Sequence, residues 1–334
     1  MDKIVGIGNA LVDVLVRLKS DDELAALGLP KGGMQLIDEE QQLRLSKEMV
    51  RLNPARSTGG SAGNAVLALA NMGARPGFVG QVGDDETGRF FRANCQAVGI
   101  DARLLEAPGL SGVANTFITP DAERTFATFL GAAAQMSAAD IVPDLFRGYQ
   151  LLHIEGYLIQ NHDLITTICR TAKSLGMTTS IDLASYNVVQ ENRAMLRDLV
   201  ARYIDIVFAN EEESSAFTGG KDPEAALEEI GGMADVAVVK LGKRGAMAMR
   251  DGRRAFVPGR SSNVVDTTAA GVFFAGGFLY ALTRGGELEQ CLQMGTLLAS
   301  NVIQVVGTRL PESQWERIKK SSEFIVQSSE LVKS

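Results

Sequence analysis

The sequence predicts an α/β fold, a mostly parallel sheet with helices on both faces and a small β-sheet beside it. Three observations carry this. Over residues 151–241, short apolar runs alternate with amphipathic stretches of helical period, the pattern of βαβ units and a parallel sheet. Over residues 101–130 the helical period disappears, and short alternating pieces flank a Pro120-Asp121 turn. Finally, the small polar loop Asp266-Thr267-Thr268-Ala269-Ala270-Gly271 opens directly into an apolar helix. Such a junction aims backbone N–H groups and the positive end of a helix dipole at one point, which suits an anion such as phosphate.

In chain order, residues 3–8 read as a buried strand and 12–18 as a half-exposed one. A short helix at 21–27 is stopped by Gly28 and Pro30, and a strand at 34–37 precedes a helix at 38–52 with Asp38 as its N-cap. Gly59-Gly60-Ser61-Ala62-Gly63-Asn64 forms a loop before a helix at 65–72. A strand at 75–82 and a helix at 86–98 follow, then alternating strands at 113–119 and 124–130. The regular region contributes strands at 151–155, 178–182, 206–209 and 236–241, and helices at 162–175, 189–203, 210–217 and 223–230. Asp251-Gly252 joins two strands as a hairpin, and helices at 288–305 and 312–326 close the chain. The expected organisation is a single domain over 1–334, with a lid built from inserted segments near 12–38 and 101–130.

Composition narrows the function. Of 334 residues, 46% are hydrophobic and 22% charged, enough to bury a large core. A net charge of −7 removes the basic footprint of a nucleic-acid binder. No apolar run reaches the ~18 residues of a membrane span, and the N-terminus has no signal-peptide pattern, so a cytoplasmic protein is expected. Cys95, Cys169 and Cys291 match no metal spacing and read as buried reduced thiols. His153 and His162 support neither a zinc site nor a catalytic triad. Gly6-Ile7-Gly8 lacks the third glycine of a dinucleotide fingerprint and leads into a strand.

Three further stretches bear on chemistry. The Gly59–Gly60 loop either caps a helix or lets backbone approach a hydroxylated ligand, where Asn64 would donate and accept and Asp13 could take two hydroxyls. Asn210-Glu211-Glu212-Glu213 at a strand end reads as an acidic first helical turn or as carboxylates holding Mg²⁺ through water. Leu241-Gly242-Lys243-Arg244-Gly245 is a turn and not a Walker A loop, because no Ser or Thr follows the lysine.

Together and in this order, these stretches resemble the ribokinase (PfkB) family of carbohydrate and nucleoside kinases over nearly the whole chain. Gly8-Asn9-Ala10-Leu11-Val12-Asp13 and the Arg124-Thr125 pair are most similar to adenosine kinases. The resemblance implies a ribokinase-like three-layer α/β/α fold with a small β lid, and phosphoryl transfer from ATP to a primary hydroxyl of a nucleoside or sugar. It implies that Asn9, Asp13, Gly60 and Asn64 bind the substrate and that Arg124 reaches the transferring phosphate. Asn210 and Glu213 would organise Mg²⁺ and its waters, Gly242 and Gly245 would border ATP, and Asn301 would lie near the adenine. Ala270 and Gly271 belong to the anion hole, and Asp266 and Thr268 match a segment holding a monovalent cation such as K⁺ in some relatives. Phe117, Phe126 and Phe129 are candidates for purine stacking or for the core, and an exposed lid edge could pair two copies.

The resemblance departs at one place. The family's Asp-Thr-x-Gly-Ala-Gly-Asp is here Asp266-Thr267-Thr268-Ala269-Ala270-Gly271-Val272. Val272 stands where the family has its general base and cannot accept a proton. Ala269 replaces a glycine, and Val272 with Phe273 adds bulk where a small polar cleft is expected. The flanking residues still fit, so this is a local replacement and not general decay. Two readings follow: a kinase scaffold with strongly reduced turnover, or a non-catalytic nucleoside or nucleotide binder on the same fold.

Overall fold

The computed structural model describes residues 3–121 and 123–327; Met1, Asp2, Ala122 and residues 328–334 lie outside it. β1 (Ile4–Ile7) opens a large sheet, and the chain then crosses to a small one through β2 (Leu11–Arg17), β3 (Met34–Leu36) and β4 (Ala55–Thr58). It returns with β5 (Gly77–Gly83) and β6 (Asp101–Ala107), and leaves again with β7 (Gly112–Ile118) and β8 (Arg124–Phe129). It then stays in the large sheet through β9 (Leu151–Glu155), β10 (Thr178–Asp182), β11 (Ile206–Asn210), β12 (Val236–Lys240), β13 (Gly245–Arg250) and β14 (Arg253–Pro258).

Among the described residues the large sheet has nine strands in the order β14-β13-β12-β11-β10-β9-β1-β5-β6, and the small sheet has five in the order β3-β8-β7-β2-β4. Every pairing from β12 to β6 is parallel; only the β12–β13 and β13–β14 pairings are antiparallel. This is why β1 is an unbroken apolar run and why every residue of β1 and β9 is buried, His153 and Glu155 included: helices cover both faces. β8 alternates buried and half-buried residues, as a strand covered on one face does. The fold is thus the ribokinase-like α/β arrangement expected, with the small sheet built from segments interleaved with the large one. No helix among the described residues is long and apolar enough to cross a membrane.

Three clusters make the core. One fills the face of the large sheet under helices His162–Ser174 and Arg193–Tyr203, and another fills the opposite face under helices Ala270–Leu282 and Leu288–Val302. The third lies under the small sheet, where Phe117 and Phe129 are buried with Leu45 and Met49 of helix Glu39–Val50. Those two phenylalanines are therefore core, and Phe126 is half-buried opposite Met34. The cysteines are free and buried, and burial pushes each thiol up to about 12.

Several elements differ from the sequence expectation. β6, grouped above with the lid, is the edge strand of the large sheet, paired only with β5. Among the described residues no strand pairs with its outer side, so it carries the half-exposed pattern of a lid strand. β4 has no apolar residue larger than alanine and is held by its ladder to β2, from Val12↔Thr58 to Leu15↔Ala55. The helix expected at 189–203 is two, Tyr186–Glu191 and Arg193–Tyr203. They break at Asn192, whose backbone N–H (3.1 Å) and side-chain amide (3.0 Å) both donate to the Val188 carbonyl. The hairpin at Asp251-Gly252 forms as expected, with φ of 51° and 74°, both central residues left-handed.

Helix Ala270–Leu282 is clamped by two others. A Cβ on Gly276 would come within 2.8 Å of the Ala65 carbonyl oxygen of helix Ser61–Asn71, and one on Gly277 within 2.5 Å of the Met294 carbonyl oxygen of helix Leu288–Val302. Ala is the better helix former by about 1 kcal/mol, yet overpacking costs about 1–3 kcal/mol. Gly277→Ala is therefore expected to lower stability in urea unfolding, against propensity; a rise in the midpoint would refute the clamp.

Candidate active site

The cleft is assembled where β1 separates the two halves of the large sheet. β9 lies on one side of β1 and β5 on the other, so the connections leaving them diverge, and open α/β sheets bind ligands at such a point. Asn9, just after β1, and Glu155, the last residue of β9, meet here. The Glu155 carboxylate is 2% exposed and accepts from the Asn9 side-chain amide (2.6 Å), the Asn9 backbone (3.3 Å) and the Ala62 backbone (3.2 Å). Burial raises its pKa, and these donors act against the rise. Sequence reasoning missed Glu155; the available signal was a carboxylate ending an otherwise apolar strand.

Helix Ser61–Asn71 starts earlier than expected, so Ser61 to Asn64 form its first turn and the loop is only Gly59-Gly60. Gly60 caps it with φ of 79°, and a Cβ there would overlap the Asn9 carbonyl oxygen. A Cβ on Gly59 would overlap the Asp13 carboxylate. The loop thus brings Asn9, Asp13, Gly60 and Asn64 together. The Asn64 amide donates to Asp13, and its Oδ1 is buried without a protein partner. Asn64 therefore keeps an acceptor, and Asp13 keeps lone pairs, for ligand hydroxyls.

The acidic motif is a reciprocal cap. Asn210 Oδ1 accepts from the Glu213 backbone (2.8 Å), while the Glu213 carboxylate accepts from the Asn210 backbone and side-chain amides, both at 2.7 Å. Burial raises the Glu213 pKa; Lys240 opposes this and Asp182 adds to it. Lys240 at the end of β12 pairs with Asp182 at the end of β10 (2.7 Å). Neither residue was singled out from the sequence. The Gly242–Arg244 turn leads from β12 into β13, and Arg244 pairs with Glu211, tying the turn with Gly242 and Gly245 to the acidic motif. Among the described residues no three potential metal-ligating side chains cluster. Asp182 and Glu213 are hard oxygen donors that still have lone pairs, which fits Mg²⁺ held largely through its own waters.

The loop before helix Ala270–Leu282 is joined to the small sheet by one arginine. Arg124 of β8 pairs with Asp266 (2.8 Å), donates to the Val265 carbonyl (3.1 Å) and reaches Thr268 Oγ1 (3.3 Å). Asp266 also accepts from the backbones of Thr268 (2.9 Å) and Gly307 (2.8 Å). Asp266 thus carries N–H donors on both oxygens, the Arg124 guanidinium among them.

Other expectations for this loop change. Ala269 has φ of −93°, so its Cβ is not strained. The Ala270 N–H donates to the Thr267 carbonyl (3.1 Å). Gly271 and Val272, second and third in the helix, are left without a carbonyl four residues back inside it. Phe273 is buried and stacks on Trp315 (6.1 Å between ring centroids), so its bulk lies in the core and not in the cleft. Asn301 spends its amide inside the protein, donating to the Leu297 carbonyl (2.9 Å) and accepting from Gln314 (3.1 Å). His153 is buried against Ser180 (2.9 Å) with its pKa lowered to about 4 by burial, which keeps it neutral.

The Asp13–Asn64 pair and the first turn of helix Ala270–Leu282, which has no side-chain cap, thus belong to one ribokinase-like fold. Residues 26–315 match the pfkB family carbohydrate kinase, and the chain belongs to that family. Membership implies ATP as phosphoryl donor, typically with Mg²⁺. The structure is similar to a probable sugar kinase from Rhizobium etli (TM-score 0.84, 32% identity, 96% of this chain and 99% of that one). It is equally similar to the adenosine kinase of Sinorhizobium meliloti (TM-score 0.84, 31% identity, 96% and 99%). The adenosine kinase of Schizophyllum commune is 27% identical over 345 residues, 95% of this chain and 98% of that protein.

Desolvation pushes the Asp13 carboxyl from 3.8 up to about 7, with the Asn64 hydrogen bond opposing and Asp266 adding. Between these values the folded chain holds the proton more tightly than the unfolded one. This contribution to stability is therefore present at low pH and falls as pH rises from about 4 to about 7. Asp13→Asn removes that slope. In thermal melts the variant should exceed the unmodified chain at pH 8 and converge with it near pH 4. A difference independent of pH would contradict this.

Proposed function

We propose that this chain is an adenosine kinase-like phosphotransferase scaffold whose turnover is strongly reduced by Val272. The observation that carries the substrate side is the Asp13–Asn64 pair, with a buried unpartnered acceptor on Asn64. Asp13 and Asn64 would hold neighbouring hydroxyls of a ribose, and Asn9, fixed by Glu155, would border them. The likeness to two adenosine kinases, together with Asn9, Asp13 and Arg124-Thr125, favours a nucleoside over a free sugar.

On the phosphate side, the N–H groups of Gly271 and Val272 would take the charge developing on the transferring group. Arg124 stands over the same loop, and its Nε is buried without a partner, a donor left for a phosphate oxygen. Mg²⁺, bound with the donor's phosphates near Asp182 and Glu213, would supply charge neutralisation. The attacking hydroxyl must lose its proton, and Val272, half-buried against the core, offers no acceptor. A missing general base costs ~10²–10⁴ in rate. The same observation favours the second reading, a nucleoside or nucleotide binder without turnover.

An ATP-dependent phosphorylation assay with adenosine and a panel of sugars separates the two. Val272→Asp should raise turnover by roughly 10²–10⁴-fold, with adenosine the best acceptor. Turnover by the unmodified chain equal to that of the variant would remove the need for a base here. A variant inactive on every acceptor would leave the binder.

We also propose that two copies pair through the small sheet, because its edge strand β3 exposes Met34 and Leu36. Sedimentation should show a dimer that Met34→Lys dissociates; a monomer at micromolar concentration would refute it.

A further inference from the structure

Lys240 is a buried ammonium with unused hydrogen-bonding capacity. Its side chain is 12% exposed, that of Asp182 is 7% exposed, and the two meet at 2.7 Å. Burial works against its charge, but Asp182 and Glu213 outweigh that cost and keep it protonated. An ammonium has three N–H donors. Among the described residues its one hydrogen bond is to Asp182. A Cβ built on Gly271 would come within 3.1 Å of Lys240 Nζ, so the ammonium lies against the first turn of helix Ala270–Leu282. That turn has no side-chain cap. Two carboxylates, Asp182 and Glu213, share this edge and would repel an approaching polyphosphate.

We propose that Lys240 is a direct ligand of the nucleotide's terminal phosphate, a role that rests on reading this cleft as a kinase's. Asp182 holds the ammonium beside Gly271, and the two remaining N–H donors meet phosphate oxygens already facing the Gly271 and Val272 backbone. The lysine neutralises the edge where the carboxylates would exclude an anion. A side chain at 271 would press on the ammonium and displace it by a few tenths of an ångström. A buried ion pair with only a structural role would predict different binding behaviour.

The test is calorimetry with a non-hydrolysable ATP analogue and Mg²⁺, beside calorimetry with adenosine, on three chains: unmodified, Lys240→Met and Lys240→Arg. Lys240→Met should weaken the analogue roughly ten- to a hundredfold, the range of a charge-assisted hydrogen bond, and leave adenosine within about twofold. Lys240→Arg should recover part of the loss. Equal affinity of the unmodified chain and Lys240→Met would overturn the inference alone. Equal weakening of the analogue and of adenosine in Lys240→Met would also overturn it, in favour of a structural pair. If the unmodified chain binds neither analogue nor adenosine, the kinase reading fails and the inference falls with it.

Discussion

The buried Glu155 carboxylate is the constraint on which the cleft depends. It ends β9, accepts two donors from Asn9 beyond β1, and accepts the backbone of Ala62 in the first turn of the next helix. Three segments far apart in sequence converge on two oxygens. Isolated, a carboxylate so buried would be costly; with charge-assisted N–H bonds it becomes a rigid joint. The positions of Asn9 and Gly60, and through the Gly59 loop of Asp13, follow from it.

The same arrangement recurs along this edge of the sheet. Asp13 takes Asn64, Asp182 takes Lys240, Glu213 takes Asn210, and Asp266 takes Arg124. Each acid has a partner that supplies N–H groups. The edge can therefore hold several carboxylates without repelling one another apart. Arg124 adds a link between the sheets, since it leaves β8 of the small sheet and ends on the loop before helix Ala270–Leu282. The small sheet is thus tied to the large one through the phosphate side of the cleft.

That helix explains why a local replacement need not disturb the fold. Its far side is set by Gly276 and Gly277 against two other helices, and Phe273 anchors it on Trp315. Ala269 adopts ordinary backbone angles, and Val272 packs against the neighbouring core. Val272 carries no proton acceptor, and the backbone turn ahead of it runs beside Lys240.

Much of this was legible in the sequence because it is local. Strand and helix periods, the Asp38 cap, the Asp251-Gly252 hairpin and the grouping of Asn9, Asp13, Gly60 and Asn64 follow from neighbouring residues or from the family's motifs. What the sequence did not reveal lies in contacts across long stretches of chain. Glu155 meets Asn9 across 146 positions, Arg124 meets Thr268 across 144, and Lys240 meets Asp182 across 58. The sheet membership of β4 and β6 is of the same kind, since each is defined by a hydrogen-bonded neighbour and not by its own pattern. Local propensity determines which segments are strands and helices. Only the folded chain decides which buried charge faces which partner, because that pairing depends on where the strand ends come together.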